Sequence, residues 1–168
     1  MPRRRTQARM LAVQALCAYE ALGEAFDAQL PEFLHDEENL QELEIATPVA
    51  DEIFEFASAL ARGAWSRRET IDGLLSRTVA HWSVARLTPV DRAILRLGVH
   101  ELLENPPDRP PQVVINESLE LARKFGEADS PAFINGVLDA VRRGLAERGV
   151  ATATGQEPGT PPDGKPVQ

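Results

Sequence analysis

Arg3, Arg4, Arg5 and Arg9 put four guanidinium groups into the first ten residues, with no acid among them. A guanidinium is a planar fork that matches paired phosphate oxygens, so the run RRRTQAR reads as a contact to an anionic polymer. Its place on a predicted helix lowers the cost of ordering it. The plainer alternative is a solvated basic end. A second candidate is Asp129-Ser130-Pro131, a cap residue followed by proline, which predicts a helix start. The free N–H groups of such a start attract anions, and Phe133 follows within the first turn. Turned outward, Phe133 is a platform for an unpaired base; turned inward, it is core. The third candidate is Asp91, a lone carboxylate in the first turn of another predicted helix, near the positive end of its dipole.

Enzyme chemistry finds little support. His35, His81 and His100 fall on different elements without ligand-spaced partners, so they read as surface or satisfied histidines rather than a metal site. Glu117 and Glu120 lie three apart on one predicted helix, with Arg123 and Lys124 close by, and read as a solvated pair. There is no phosphate loop, dinucleotide fingerprint or nucleophile elbow. Neither a cofactor nor a small-molecule substrate is expected, and the protein is not expected to be an enzyme.

These residues sit on a chain of 168 residues, 43% hydrophobic, with a formal net charge of −8. That length can bury a real core. The acidic balance argues against blanket nucleic-acid binding, yet it is unevenly spread. Residues 20–55 hold twelve acids and no Lys or Arg. Such segregation points to an anionic partner at the N-terminus and a basic one elsewhere. No run is long enough to span a bilayer, no apolar segment follows the leading arginines as in a secretory signal, and the single Cys17 cannot form an internal disulfide. A cytoplasmic protein without membrane contact is expected.

Helical periodicity recurs along the chain. Residues 3–22 form a first helix with apolar residues nearly all round, stopped at Gly23, with a wet strip near Gln7 and Gln14. Leu30, Phe33, Leu34, Leu40 and Leu43 anchor a second helix and a loop in the acidic stretch. Thr47-Pro48 predicts the start of a third helix through Ile53, Phe56 and Leu60. Ile71, Leu74, Leu75, Val79 and Trp82 mark a fourth. The fifth, opened by Thr88-Pro89, places Val90, Ile94, Leu97 and Glu101 on one row and reads as the central helix. A sixth runs from Val114 to Phe125 with Gly126 as its cap, and a seventh opens at Asp129-Ser130-Pro131. The reading is an all-α domain over residues 1–148 and a disordered tail over 149–168.

Three blocks together resemble the NusB family of bacterial transcription antitermination factors. They are RRRTQARMLAVQAL, the segment WSVARLTPVDRAILRLGVHELL, and VVINESLELARKFG followed by DSPAFINGVLDAV. The likeness spans about residues 3–145. It implies two small packed helical subdomains and a non-catalytic role. By this resemblance the protein binds single-stranded boxA RNA, notably of rRNA leaders, together with the NusE-like small-subunit ribosomal protein, in the transcription elongation complex. Arg3, Arg4, Arg5 and Arg9 match the family's RNA-binding segment, Asp129 and Phe133 its second RNA patch, and Asp91 its contact to the NusE-like protein. One continuous RNA surface is expected to join the arginine tip to the opening of the last helix.

The chain departs from the family pattern in places. Thr6 and Gln7 interrupt the arginine run, and Ser118 stands where alanine is usual, expected as a mild surface change. Two rival readings remain: a NusB-like RNA-binding domain related to rRNA cytosine methyltransferases, and a protein–protein scaffold without RNA binding. The first needs a cofactor-binding domain, for which the tail offers no sign.

Overall fold

A computed structural model describes residues 3–79 and 87–153. Those residues contain no strand, in agreement with the all-α reading. Helix α1 spans Arg4–Leu22. A 3-10 segment, Gly23–Gln29, leads into α2 (Leu30–Leu34) and α3 (Glu37–Glu42). Then come α4 (Asp51–Ser66), α5 (Arg68–Thr78), α6 (Pro89–Glu104), α7 (Pro111–Phe125) and α8 (Ser130–Ala153). No described helix is long and apolar enough to cross a membrane.

Helix α6 is the axis of the molecule. Thr88 caps it, its hydroxyl accepting the Asp91 N–H at 3.2 Å, and Pro89 supplies a first residue that needs no donor. Every residue from Ala93 to Leu102 is buried, because α1, α4, α5, α7 and α8 surround the helix. Full enclosure requires close approach on more than one side. A Cβ on Gly63 of α4 would sit 2.5 Å from the His100 ring, and one on Gly98 would sit 3.0 Å from Leu138 and Ser118. Glycine at both positions lets the helices cross at that spacing. The helix ends at Asn105 in the left-handed region (φ 42°), whose N–H returns to the Glu101 carbonyl.

Several sequence expectations need correction. The acidic stretch does not hold one helix and a loop: after Gly23 (φ 72°) it breaks into the 3-10 segment and two short helices, pinned by buried Phe26, Leu30, Leu34, Leu40 and Leu43. Thr47-Pro48 does not cap α4, which starts at Asp51 behind Ala50. Gln7 is buried, and Gln14 reaches Asn39, so the expected wet strip of α1 is closed by its neighbours. Ser118 is no surface residue either. It is buried against Gly98, and its hydroxyl donates to the Val114 carbonyl at 2.8 Å. Helix α8 continues to Ala153, past the tail boundary expected at residue 149. His81, Trp82 and the tail beyond residue 153 lie outside the described residues.

Candidate nucleic-acid and partner interface

The first turn of α1 projects from the fold. Arg3, Arg4 and Arg5 are exposed, whereas everything from Gln7 to Val13 is buried. Arg4 pairs with Glu52 at the start of α4. Arg5 reaches Asp108 in the α6–α7 loop at 2.6 Å, and its guanidinium holds the Asp108 carboxyl below the usual carboxylate range. Both pairs are open to water and cost little to exchange for a phosphate. Between Arg4, Arg5, Glu52, Ile53 and Phe56 lies a depression of about 350 Å³.

Arg9 does not join that tip, which corrects the sequence reading. Its side chain is 2% exposed and forks onto Glu101, itself 1% exposed, at 2.8 Å from Nη2 to Oε1. Arg109 donates to the same Glu101 oxygen at 3.0 Å, and Glu117 lies 3.8 Å from Arg9. Thr6, the interruption in the arginine run, donates to Glu117 at 2.9 Å. Arg5, Arg9 and Arg109 also gather round the Phe56 ring, 5.0–5.8 Å from its centroid. Glu117 is therefore tied to α1 rather than forming the solvated pair with Glu120 expected from the sequence; Glu120 pairs with Arg123 instead. Glu52, Asp108, Glu101 and Arg109 are the residues the sequence did not mark. One signal for Glu101 was present: a carboxylate in the otherwise apolar row Val90, Ile94, Leu97 demands a buried cation.

The opening of α8 is built around Ser130. The Asp129 carbonyl accepts the Phe133 N–H at 3.2 Å, and the Asp129 residue is exposed. Ser130 is 2% exposed; its hydroxyl accepts the Glu127 N–H at 3.0 Å and donates to Asp91 Oδ2 at 3.1 Å. Gly126 ends α7 with extended backbone rather than a left-handed cap. Its missing side chain makes room, since a Cβ there would fall 2.7 Å from the Ser130 Cβ. Phe133 is half-buried: it packs partly on the core and partly lines an open groove of about 320 Å³ with Thr78, Val79, Gly136 and Val137. It is neither wholly core nor wholly outward. Asp91 is also half-buried, and its Oδ1 has no hydrogen-bond partner among the described residues.

The two patches do not form one tip. Arg5 meets Asp108 just past the C-terminal end of α6, whereas Ser130 meets Asp91 at its N-terminal end. The thirteen-residue step from Asp91 to Glu104, where α6 ends, separates them by roughly 20 Å along the helix axis. The expectation of a single basic end beside the last helix is thus replaced by two patches at opposite ends of the central helix.

Fold and site together define a small all-helical protein packed round one enclosed helix, with a basic leading turn. The chain belongs to the NusB family, whose model matches residues 6–143. The transcription antitermination protein NusB of Anaeromyxobacter dehalogenans (strain 2CP-1) is 40% identical over 151 residues, covering 89% of this chain and 99% of the relative. That of Geobacter sulfurreducens is 41% identical over 142 residues, covering 84% and 95%. Among solved structures, T. maritima NusB superimposes with a TM-score of 0.62 at 34% identity, covering 85% of this chain and 92% of that one. A chain from the crystal structure of the antitermination factors NusB and NusE with dsRNA gives 0.66 at 29% identity, covering 86% and 99%.

Proposed function

We propose that this protein is a non-catalytic transcription antitermination factor that binds boxA-type single-stranded RNA of rRNA transcripts together with a NusE-like small-subunit ribosomal protein. Arg3, Arg4 and Arg5 grip phosphates, and Asp129 and Phe133 contact bases at the far patch. Asp91 faces the basic ribosomal protein. That work belongs in the elongation complex, and so in the cytoplasm.

The observation that carries this reading is the exposure of Arg3, Arg4 and Arg5 on the projecting turn of α1, on a chain whose net charge is −8. A cluster of exposed arginines whose acidic partners are themselves open to water draws an anionic polymer to one place on the surface. The separation of the patches also sets a length: at 3.4 Å per stacked nucleotide, a strand of about six nucleotides spans roughly 20 Å. A gel shift with single-stranded boxA RNA, with and without the ribosomal protein, tests the reading. A shift that strengthens with the partner supports it. No shift under either condition leaves the scaffold reading instead, and preference for a duplex of the same sequence contradicts the single-strand assignment.

A further inference from the structure

We infer that the hollow beside the arginine tip is a guanine-reading pocket, with Phe56 as its stacking floor and Glu52 as the acceptor for the base edge. The inference rests on the RNA-binding role proposed above and adds base recognition to an end so far given only phosphates. Arg4, Arg5, Glu52, Ile53 and Phe56 line the hollow, whose volume is about 350 Å³. Phe56 is half-buried: it packs on the core and turns part of its surface to the hollow. Buried contacts fix the ring. Arg9 and Arg109, both held by Glu101, stand 5.8 and 5.0 Å from its centroid. Arg5 is 5.8 Å from the same centroid but half-exposed, so a base laid on the ring has its phosphate within reach of Arg5. Glu52 lies four residues before Phe56 on α4 and so shares its face, with about 5–6 Å between the two Cβ atoms.

Glu52 supplies the selection. A carboxylate inside a phosphate grip opposes the strand it is meant to receive, and in the free protein Arg4 offsets that charge. The Glu52 side chain is 59% exposed, so exchanging Arg4 for another donor costs little. Once Arg4 turns to a phosphate, the two Glu52 oxygens can only accept hydrogen bonds. Guanine presents N1–H and N2–H side by side on its Watson–Crick edge, two donors for two oxygens. Adenine and cytosine set one amino donor beside a ring-nitrogen acceptor there, and uracil sets one N–H between two carbonyls. Each of these turns a lone pair toward the carboxylate, so the charge that admits guanine rejects the rest. Stacking on Phe56 adds affinity without preference, because every base has a π-face.

The test uses the full chain with the NusE-like ribosomal protein and labelled single-stranded boxA RNA. Uridine hexanucleotides carrying one guanine, or one inosine, at each position in turn compete for the protein. Inosine keeps the shape and N1–H of guanine but lacks its amino group, so stacking and phosphate contacts are unchanged. At the best position guanine should compete at least about fivefold better than inosine. Glu52→Ala should bring that ratio close to one while the all-uridine strand binds more tightly, since a negative charge is gone. A purely electrostatic Glu52 gives the second change without the first. Phe56→Leu, checked for helix content, should weaken the guanine strand by about fivefold or more. A wild-type ratio of one, a ratio unchanged by Glu52→Ala, or full affinity in folded Phe56→Leu overturns the pocket. So does boxA binding with which no hexanucleotide competes; in all these cases the RNA reading stands. If boxA RNA itself does not bind, the RNA reading fails and takes the pocket with it.

Discussion

Arg9 and Glu101 meet inside the α1–α6 contact as a two-pronged ion pair, with Nε 3.0 Å from Oε2 and Nη2 2.8 Å from Oε1. The arrangement gives α1 two uses in two turns. Its first turn carries cations outward, and the Arg9–Glu101 pair in its second turn fixes the direction in which that turn points. A basic tip is useful to a transcript only when the helix bearing it cannot swing, and the Glu101 fork, with Arg109 donating to the same Oε1, prevents that.

Removing the Arg9 guanidinium should therefore act on stability rather than on RNA. Arg9→Met strands Glu101 in a site that is 1% exposed, where Arg109 alone must compensate it. Breaking one side of a buried pair costs about 3–5 kcal/mol. Urea unfolding should show that loss, while RNA affinity measured well below the unfolding midpoint changes little. A large fall in RNA affinity with stability intact would return Arg9 to the RNA surface.

Much of this was legible in the sequence, and the part that was not has physical reasons. Thr88, Pro89 and the broad apolar arc behind them located α6, because cap chemistry and burial pattern are both local signals. Arg9 was misread because RRRTQAR is contiguous in sequence, whereas a helix buried from its second turn divides it between solvent and core. Thr47-Pro48 failed as a helix start because cap and proline are also turn residues, and the tertiary fold begins α4 at Asp51. The spacing of the two patches could not be read at all. It depends on which end of α6 each loop meets, a matter of long-range packing.

Phe133→Ala should weaken RNA binding by about 1–3 kcal/mol, the value of one base stacked on an aromatic ring. The residue is half-buried, so helix content by circular dichroism must be checked alongside. Full affinity in a folded variant would assign the ring to packing alone.

Asp91→Lys should weaken pairing with the ribosomal protein by on the order of 2 kcal/mol, since it replaces a charge-assisted contact with repulsion from a basic surface. Helix content should hold, because the cap on α6 comes from Thr88. Calorimetric titration with the partner reads the effect directly, and undiminished pairing would refute the assignment.

His100 predicts a pH dependence of folding. Burial holds its imidazole below the ordinary value of 6.5, despite the opposing pull of Glu104. Near and above pH 7 the neutral ring carries no penalty. As pH falls below 6.5 the unfolded chain takes up a proton that the folded chain refuses, so stability drops until the lowered folded value is passed. His100→Phe keeps a ring against Gly63 and should remove this share of the acid sensitivity, seen by comparing urea unfolding at pH 7.5 and 5.5. An equal loss in both proteins would place the sensitivity elsewhere.

The central claim is that exposed cations on the leading turn of α1 neutralise RNA phosphates. Anisotropy titration of boxA RNA from about 50 to 200 mM salt, comparing wild type with the double variant Arg4→Glu, Arg5→Glu, tests it most directly. The account predicts weaker binding and a log–log salt slope shallower by about 1.4, roughly 0.7 for each lost contact to a single-strand phosphate. Unchanged affinity and an unchanged slope would contradict it.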